Sequence, residues 1–384
     1  MSKTAVDKLL RIPESLRDSI SRTRVNYHHL GHCGLRVSNP ILGGLHIGNS
    51  RWLPWVLNEE EVSTASRSHV GGASYTSRIV QNSVTNHALK WDTANVYSNG
   101  ESERVIAKAI RKYKIPRSKL TLMTKCYRVV CDAENFDPGS GVTMHHDLAD
   151  QSKDYVNQWG LSRTAIFNAV EASLERLGTH YIDVFQVHRF DPTVPIAETM
   201  SALNDLVKAG MVRYIGASSM WTYQFAAMQN VAEIKGWTKF VSMQNHYNLI
   251  YREEEREMNK YCNIHGVGLT PWAPLASGRL ARRPTQRSLS IRASNSNNGS
   301  IYEAADGNAE KILQRVEEIA VKKNWPMSHV SLAWLNRRVT APIIGFSSVE
   351  RIDEALAAIG KELTFDEERY LEELYVPRPV QGHS

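Results

Sequence analysis

Four residues whose side chains can donate a proton or stabilise its loss occur at the ends of successive apolar segments: Asp92, Tyr97, Lys125 and His188. Reduction of a carbonyl group needs a hydride for the carbon and a proton for the developing alkoxide. A tyrosine with a pKa near ~10 is a poor donor at neutral pH, but a neighbouring ammonium group stabilises the tyrosinate left behind. In this hypothesis Tyr97 donates the proton and Lys125 stabilises its anion. Asp92 pairs with the lysine, and His188 orients the carbonyl oxygen or shares the proton transfer.

Each of the four also has an ordinary structural interpretation. Asp92 suits a helix N-cap, and Tyr97 suits a packing aromatic. Lys125 suits a surface lysine with a buried stem, and His188 suits a core histidine. Only their order on successive strands indicates that they converge on one site.

The segments that must position these side chains repeat a simple unit, in which an amphipathic helix ends at a glycine and an apolar, extended run follows. The four glycines are Gly178, Gly210, Gly236 and Gly266. Glycine ends helices readily because it adopts the left-handed conformation without strain, and strands without polar alternation suit a sheet that is buried on both faces. Four further strands are predicted at 41–45, 89–93, 120–126 and 341–346, which brings the total to eight.

Eight parallel strands with helical crossovers close into an α/β barrel of the (β/α)8 TIM type. The alternative is an open doubly wound sheet, which usually carries GxGxxG or a phosphate-binding loop after its first strand, and residues 43–48 fit neither pattern. We predict one domain, with an N-terminal extension at 1–28, the barrel at 29–375 and a C-terminal tail at 376–384. Insertions at 131–160 and 276–307 follow strands three and seven, so they should form long loops on the C-terminal face.

The bulk properties narrow the function classes. The 384-residue chain is 42% hydrophobic and 22% charged, and it has no apolar run long enough to span a membrane. The net charge of +6 is not concentrated in a basic tract, so no nucleic-acid partner is predicted. The four cysteines form no metal-ligand or CxxC pattern, and no secretory signal is visible. We therefore expect a cytoplasmic protein without a metal site; the oligomeric state is left open.

Several motifs together resemble the aldo-keto reductase family over roughly residues 29–375. They are WDTANVYSNGESE, LMTKC, DVFQVHRFD, QNHYNLIYREEEREM, WAPLASG and IIGFSSVERIDE. The insertion after strand three is most similar to fungal members such as aryl-alcohol dehydrogenases and versiconal hemiacetal acetate reductase. The resemblance implies a β/α barrel, NADPH as cofactor and a small-molecule aldehyde or ketone as substrate. It also implies that the four residues named above are catalytic, with Tyr97 as proton donor.

The resemblance also assigns cofactor contacts, residue by residue. Ser218, Ser219 and Gln244 match positions that hold the nicotinamide carboxamide, and Trp272 takes the place of the usual ring-stacking aromatic. The positions matching the pyrophosphate loop are Pro274, Leu275, Ser277 and Gly278. Those matching the adenosine-phosphate segment are Ser347, Arg351 and Glu354, where Arg351 would pair with the 2′-phosphate of NADP(H).

The cofactor segment departs from the family at three positions, because Gly345 and Phe346 stand where many members have a basic residue and Ala355 replaces a frequent asparagine. NADP(H) remains the implied cofactor, and dual use of NAD(H) stays open. Three further arginines either add positive charge for the cofactor or form a solvated basic face: Arg279, Arg282 and Arg283.

Four tryptophans in predicted rim loops indicate a planar or aromatic substrate, although they equally suit residues that cover the barrel edge. They are Trp52, Trp55, Trp159 and Trp221. A nucleotide-binding regulatory subunit on the same barrel is the alternative function, because a fold does not fix an activity.

Residues 62–87 do not fit the family pattern. The segment is rich in serine and threonine, contains Gly71 and Gly72, and lacks the apolar stripe of the first covering helix. One hypothesis is an aberrant translated stretch that destabilises the barrel and yields a pseudoenzyme. The other is a divergent loop that contains a shorter helix.

Overall fold

The computed structural model describes residues 12–58, 90–132, 134, 136–283 and 307–383. Segment 62–87, with its two hypotheses, lies outside these ranges. In chain order the strands are β1 (Asn26–His29), β2 (Arg36–Asn39), β3 (Ile41–Gly43), β4 (Ile47–Gly48), β5 (Leu57–Asn58), β6 (Lys90–Asp92), β7 (Thr121–Cys126), β8 (Ile182–Val187), β9 (Val212–Ser218), β10 (Phe240–Gln244), β11 (Gly268–Leu269) and β12 (Ile343–Ile344).

Eight of these strands form one parallel sheet in the order β12, β3, β6, β7, β8, β9, β10, β11. Backbone hydrogen bonds join its two ends, since the N–H groups of Thr340 and Ile343 donate to the carbonyls of Leu269 and Pro271, each at 2.9 Å. The sheet is therefore a closed barrel. This confirms the predicted (β/α)8 class and excludes the open doubly wound sheet.

Helices cover the outside of the barrel. They are α1 (Glu14–Arg22), α2 (Glu101–Lys112), α3 (His146–Ala149), α4 (Arg163–Leu177), α5 (Ile196–Lys208), α6 (Thr222–Lys235), α7 (Met258–His265), α8 (Asn308–Lys323), α9 (Met327–Asn336), α10 (Val349–Leu356) and α11 (Phe365–Glu372). Gly178, Gly236 and Gly266 end α4, α6 and α7 in the left-handed conformation, as predicted. At the end of α5 the capping residue is Ala209, and Gly210 takes the left-handed conformation one position later.

The antiparallel hairpin β1–β2 closes the N-terminal end of the barrel. Buried side chains of the hairpin and of the strand interiors form one apolar cluster there: Leu30, Val37, Ile41, Met123, Val184, Ala341 and Ile343. The hairpin loop touches the end of α7 so closely that a Cβ on Gly31 would lie 2.2 Å from the carbonyl oxygen of Gly266. With this end sealed, the C-terminal ends of the strands form the accessible end, where barrel enzymes build their sites.

The sequence analysis also considered membrane-spanning segments and cysteine patterns, and the described residues bear on both. No helix there combines the length and the apolar character needed to cross a membrane. All four cysteines are free thiols, and three of them are buried.

Candidate active site

A cavity of about 980 Å³ opens at the C-terminal ends of the barrel strands. Most of the predicted site residues line it: Asp92, Tyr97, His188, Ser218, Gln244, Trp272, Pro274, Leu275, Ser277, Gly278, Ser347, Arg351 and Glu354. Lys125 lies directly beneath, fully buried. Residues from most of the barrel strands and the loops that follow them thus meet in one continuous space, as their order along the strands predicts.

The four proton-transfer candidates lie next to one another. Lys125 on β7 donates from Nζ to Asp92 Oδ2 at 2.6 Å and to the backbone oxygen of Thr93 at 2.8 Å. The same ammonium group lies 3.5 Å from the Tyr97 hydroxyl. His188 follows β8 directly, and its ring meets the Tyr97 ring edge to face with centroids 6.0 Å apart. The structure therefore brings all four together at the cavity floor.

Tyr97 is held by an unusual turn. Ser98 and Asn99, the next two residues, are buried and have positive φ angles of 51° and 53°, a conformation that non-glycine residues adopt only when their surroundings enforce it. Asn99 Nδ2 donates to the backbone oxygen of Ser140 at 3.0 Å, within the long insertion. The insertion at 131–160 thus helps to fix the residue that carries the phenol.

Gln186 is a functional neighbour that the sequence analysis missed. Its Nε2 donates to Asp92 Oδ1 at 2.9 Å, and Gln244 Nε2 donates to the same oxygen at 3.0 Å. Both oxygens of the buried carboxylate therefore have partners, and Asp92 is fixed against Lys125. Side chains alternate along a strand, so the position of Gln186 two residues before His188 was the signal that could have identified it.

Burial determines most of the electrostatics at the cavity floor. Burial raises the pKa of Tyr97, and the charge of Lys125 offsets this only in part. Burial would lower the pKa of Lys125, but Asp92 and Tyr97 together raise it above the usual value. Burial lowers the pKa of His188 well below its usual value, helped by the charges of Arg189 and Lys125. At neutral pH the site therefore holds a neutral phenol, an ammonium group and a neutral imidazole.

A stack of three aromatic rings supports the part of the cavity wall that is formed by Trp272. Trp272 lies on His246 with centroids 4.1 Å apart, and His246 lies on Tyr251 at 4.0 Å, with the rings nearly parallel in both contacts. Burial lowers the pKa of His246 to about 3, so the middle ring is neutral. Trp272 Nε1 donates to Ser219 Oγ at 3.0 Å, which fixes the indole plane. The flat face of Trp272 is suited to stacking on a planar heterocycle.

The far end of the cavity carries positive charge. Arg351, near the start of α10, and Arg282 both line it, and among the described residues neither has a carboxylate within ion-pair distance. Burial and repulsion from Arg351 lower the pKa of Arg282. Two such cations at one end of a cavity suit an anionic group of a ligand.

The three additional arginines considered in the sequence analysis have different surroundings in the structure. Arg279 pairs with Glu310 at 3.2 Å and Arg283 with Glu317 at 3.1 Å, whereas Arg282 lines the cavity. Gly345 and Phe346 also line the cavity. Arg282 thus supplies positive charge at the end where a basic residue was missing from the family pattern.

The four tryptophans occupy different places. Trp55 lines the cavity, and the Trp52 ring lies 6.4 Å from the ring of Tyr97. Trp159 donates to Asp150 at 2.9 Å and lies outside the lining. Trp221 is 40% exposed and lies against the ring of His383, also outside the lining.

Two further features lie at the end of the cavity that holds Tyr97 and His188, and neither was identified from the sequence. Arg189 lines the cavity beside His188. The C-terminal tail also reaches this end, because a Cβ on Gly382 would lie 3.5 Å from Trp272 and 3.6 Å from Ser219. The position of Arg189 immediately after His188 was a signal for the first, and nothing local in the sequence indicated the second.

Comparisons with known proteins agree with this arrangement. The model of a family described as the aldo/keto reductase family matches residues 42–376. Over 384 residues, all of both chains, the protein is 81% identical to an aldo-keto reductase of Fusarium vanettenii and 70% identical to one of Metarhizium robertsii. It is 44% identical over 358 residues to versiconal hemiacetal acetate reductase of Aspergillus parasiticus, which covers 93% of this chain and 98% of that protein. Putative aryl-alcohol dehydrogenases are also among the relatives, so the resemblance found in the sequence is confirmed.

The two full-length alignments include residues 62–87 of this chain.

Proposed function

The chain belongs to the aldo/keto reductase family, and on this basis we propose that it catalyses the NADPH-dependent reduction of an aldehyde or ketone and the reverse oxidation of the alcohol. Family membership supports carbonyl–alcohol chemistry by an oxidoreductase. The cofactor, the proton donor and the substrate class are the specific parts of the proposal. We propose the cytosol as its location.

The observation that carries the proposal is the contact of Lys125 with both Asp92 and Tyr97 at the floor of a large cavity. Tyr97 is the proton donor, because it is protonated at neutral pH and faces the cavity. Burial raises its pKa, and the charge of Lys125 offsets part of that rise. Lys125 stabilises the tyrosinate that forms, and Asp92 holds the ammonium group in place. The cation is already oriented before the reaction, so no reorganisation is needed as charge develops on the phenol oxygen.

His188 has a different role from Tyr97. Because its pKa is far below neutrality, the imidazole is neutral and can donate a hydrogen bond to the carbonyl oxygen without releasing a proton. Its edge-to-face contact with Tyr97 places the two donors side by side. Of the two roles considered for His188, this favours orientation of the carbonyl over proton transfer.

Bound NADPH would supply the hydride. The residues present fit such a ligand: Ser218, Ser219 and Gln244 would hold the carboxamide, and Trp272 would stack on the ring. The loop with Pro274, Leu275, Ser277 and Gly278 would hold the diphosphate. The adenosine phosphate would meet Ser347, Arg351 and Glu354. Arg282 has no carboxylate within ion-pair distance among the described residues, although the charge of Glu354 also acts on it. Its place beside Arg351 supports NADPH over NADH, because only NADPH carries a 2′-phosphate.

The substrate is proposed to be a carbonyl compound with a planar substituent, in line with the secondary-metabolite reductase among the relatives. Trp55 in the cavity lining and Trp52 near Tyr97 support this. Trp159 and Trp221 are better described as rim residues that cover the barrel edge.

The test is NADPH oxidation with a panel of aromatic and aliphatic aldehydes, using the wild-type protein beside Tyr97→Phe. We expect the wild type to turn over and Tyr97→Phe to bind NADPH normally but to lose about 10²- to 10⁴-fold in kcat. Tyr223→Phe, which removes a hydroxyl from a tyrosine that is 70% exposed, is the matched control and should behave as wild type.

Equal rates for Tyr97→Phe and the wild type would overturn the assigned mechanism. A wild-type protein that binds NADPH, captures a protein partner stably and shows no turnover would favour the regulatory subunit. Failure to bind NADPH would favour the pseudoenzyme.

A further inference from the structure

One arginine lines the cavity near Tyr97, and a second follows the neighbouring strand. Arg189 follows His188 directly, donates from Nη1 to the backbone oxygen of His188, and lines the cavity with Tyr97. Arg128 follows β7 by two residues, and its charge acts on both Arg189 and His188. The two residues stand at matching positions after neighbouring strands, because Cys126 at the end of β7 is in register with Val187 at the end of β8.

Neither arginine is neutralised by the described part of the chain, where no carboxylate lies within ion-pair distance of either side chain. Asp191 is the acidic residue nearest to Arg189 in sequence. Its oxygens are already bound by the backbone N–H of Leu161 at 2.8 Å and by the Thr193 hydroxyl at 2.6 Å.

This arrangement is unfavourable without a ligand. Arg189 is partly buried, and a Cβ on Gly382 of the tail would lie 3.6 Å from its Nη2, so protein replaces water around much of the group. Burial and the charge of Arg128 lower the pKa of Arg189 to about 10. The group is therefore still charged at neutral pH, and a shielded cation beside a second one is stabilised by an anion.

We propose that the substrate carries a carboxylate next to its carbonyl group, as in a 2-oxo acid, and that Arg189 binds this carboxylate. The inference rests on the proposed function. Arg189 adjoins His188 in the chain and acts electrostatically on Tyr97, so the anionic group must lie close to the reacting carbonyl. A planar guanidinium matches a carboxylate with two parallel hydrogen bonds.

The cofactor does not explain these charges. Its phosphates are assigned to the loop with Ser277 and to Arg351, at the other end of the cavity. In the reaction a 2-oxo acid becomes a 2-hydroxy acid. The carbonyl carbon gains a hydride from NADPH, the oxygen gains the proton of Tyr97, and solvent returns a proton to the phenol.

The experiment compares kcat/KM for a 2-oxo acid with that for its neutral methyl ester. Two such pairs are used, 2-oxobutanoate with its methyl ester and phenylglyoxylate with its methyl ester. The keto group of the ester is more electrophilic than the keto group of the acid. A higher kcat/KM for the acid must therefore come from binding of its carboxylate. We expect the wild type to prefer the acid by about tenfold or more. Arg189→Met should lower the acid-to-ester ratio about tenfold to a hundredfold, the range of a charged hydrogen bond, and Arg189→Lys should retain part of the preference.

Arg213→Met is the matched control. It removes the same charge from an exposed side chain near the start of β9, at the opposite end of the barrel, and should leave the ratio unchanged. If Arg189→Met fails to bind NADPH, the wild type is tested with oxamate, which should compete with a neutral aldehyde.

A wild type that reduces 4-nitrobenzaldehyde but prefers the esters, or an acid-to-ester ratio that is the same in Arg189→Met, would overturn the carboxylate site and leave the reductase function intact. So would the absence of inhibition by oxamate. A wild type that binds NADPH and reduces neither acids, esters nor aldehydes would instead overturn the proposed function.

Discussion

The charge state of each residue at the cavity floor follows from where its neighbours are. Lys125 keeps its charge in a fully buried position because Asp92 and the Thr93 carbonyl accept its hydrogen bonds. Among the described residues His188 Nδ1 has no hydrogen-bond partner, and the charges of Arg189, Lys125 and Arg128 act on the ring. Two basic side chains in one site therefore have pKa values shifted in opposite directions.

This difference predicts the pH profile. Reduction requires protonated Tyr97 and is lost as the pH rises through its raised pKa, while His188 is already neutral and does not titrate near neutrality. For a substrate that does not ionise, kcat/KM should be flat between about pH 5.5 and about pH 9. His188→Asn should give the same flat profile at a lower rate. An inflection near ~6.5 in the wild type alone would show that His188 titrates normally.

A second prediction at this scale concerns the cofactor. Arg351→Met should weaken NADPH binding about tenfold or more, the effect of one charged hydrogen bond, and should change NADH binding little because NADH lacks the 2′-phosphate. Fluorescence titration measures both. Arg283→Met is the control, because Arg283 already pairs with Glu317. Equal losses for the two cofactors would contradict the assignment of Arg351.

Among the elements, the hairpin β1–β2 has no catalytic residue but decides which end of the barrel is open. It fills the N-terminal end with Leu30 and Val37, and the N–H of His32 donates to the Gly266 carbonyl at 2.8 Å. The approach is so close that Gly31, at φ 64°, has no room for a side chain. The helix end at Gly266 and the hairpin are thereby coupled.

We therefore expect Gly31→Ala to destabilise the protein by about 2–4 kcal/mol, from left-handed strain and overpacking together. Chemical denaturation measures this. Gly141→Ala is the control, because Gly141 has a negative φ and no heavy atom within 4 Å of the added carbon. A similar denaturation midpoint for the two variants would show that the hairpin rearranges around the added methyl group with little loss of unfolding free energy.

At the scale of the whole molecule, the C-terminal tail packs against residues of the cavity wall, since a Cβ on Gly382 would lie 3.5 Å from Trp272 and 3.6 Å from Arg189. The N–H of Gln381 donates to the Tyr251 hydroxyl at 2.8 Å, and His383 Nε2 lies 2.9 Å from Glu254 Oε1. Tyr251 is the outer ring of the stack behind Trp272. The tail therefore contacts the structure that positions the proposed nicotinamide site.

Truncation before Val380 should raise KM for the carbonyl substrate more than it lowers kcat, because Trp272 and Arg189 lose the packing of Gly382 while the proton donor is untouched. The loss of two hydrogen bonds, one of them to a carboxylate, should cost about 2–4 kcal/mol of stability. His383→Ala, compared in the same assays, separates the contribution of Glu254 from that of the backbone. Unchanged kinetics and an unchanged melting temperature would exclude a role for the tail.

The sequence by itself determined the barrel and the strand ends that carry the proposed proton-transfer residues. Gly178, Gly236 and Gly266 mark helix ends through local backbone preference, and the ends of parallel strands necessarily share one edge, which placed Asp92, Lys125 and His188 together. Tertiary structure decided which charges are paired. Arg279 and Arg283 have carboxylate partners, whereas Arg282 and Arg189 have none among the described residues. Gln381 meets Tyr251 across 130 residues of chain. Such contacts depend on how distant segments pack, and local sequence patterns do not indicate them.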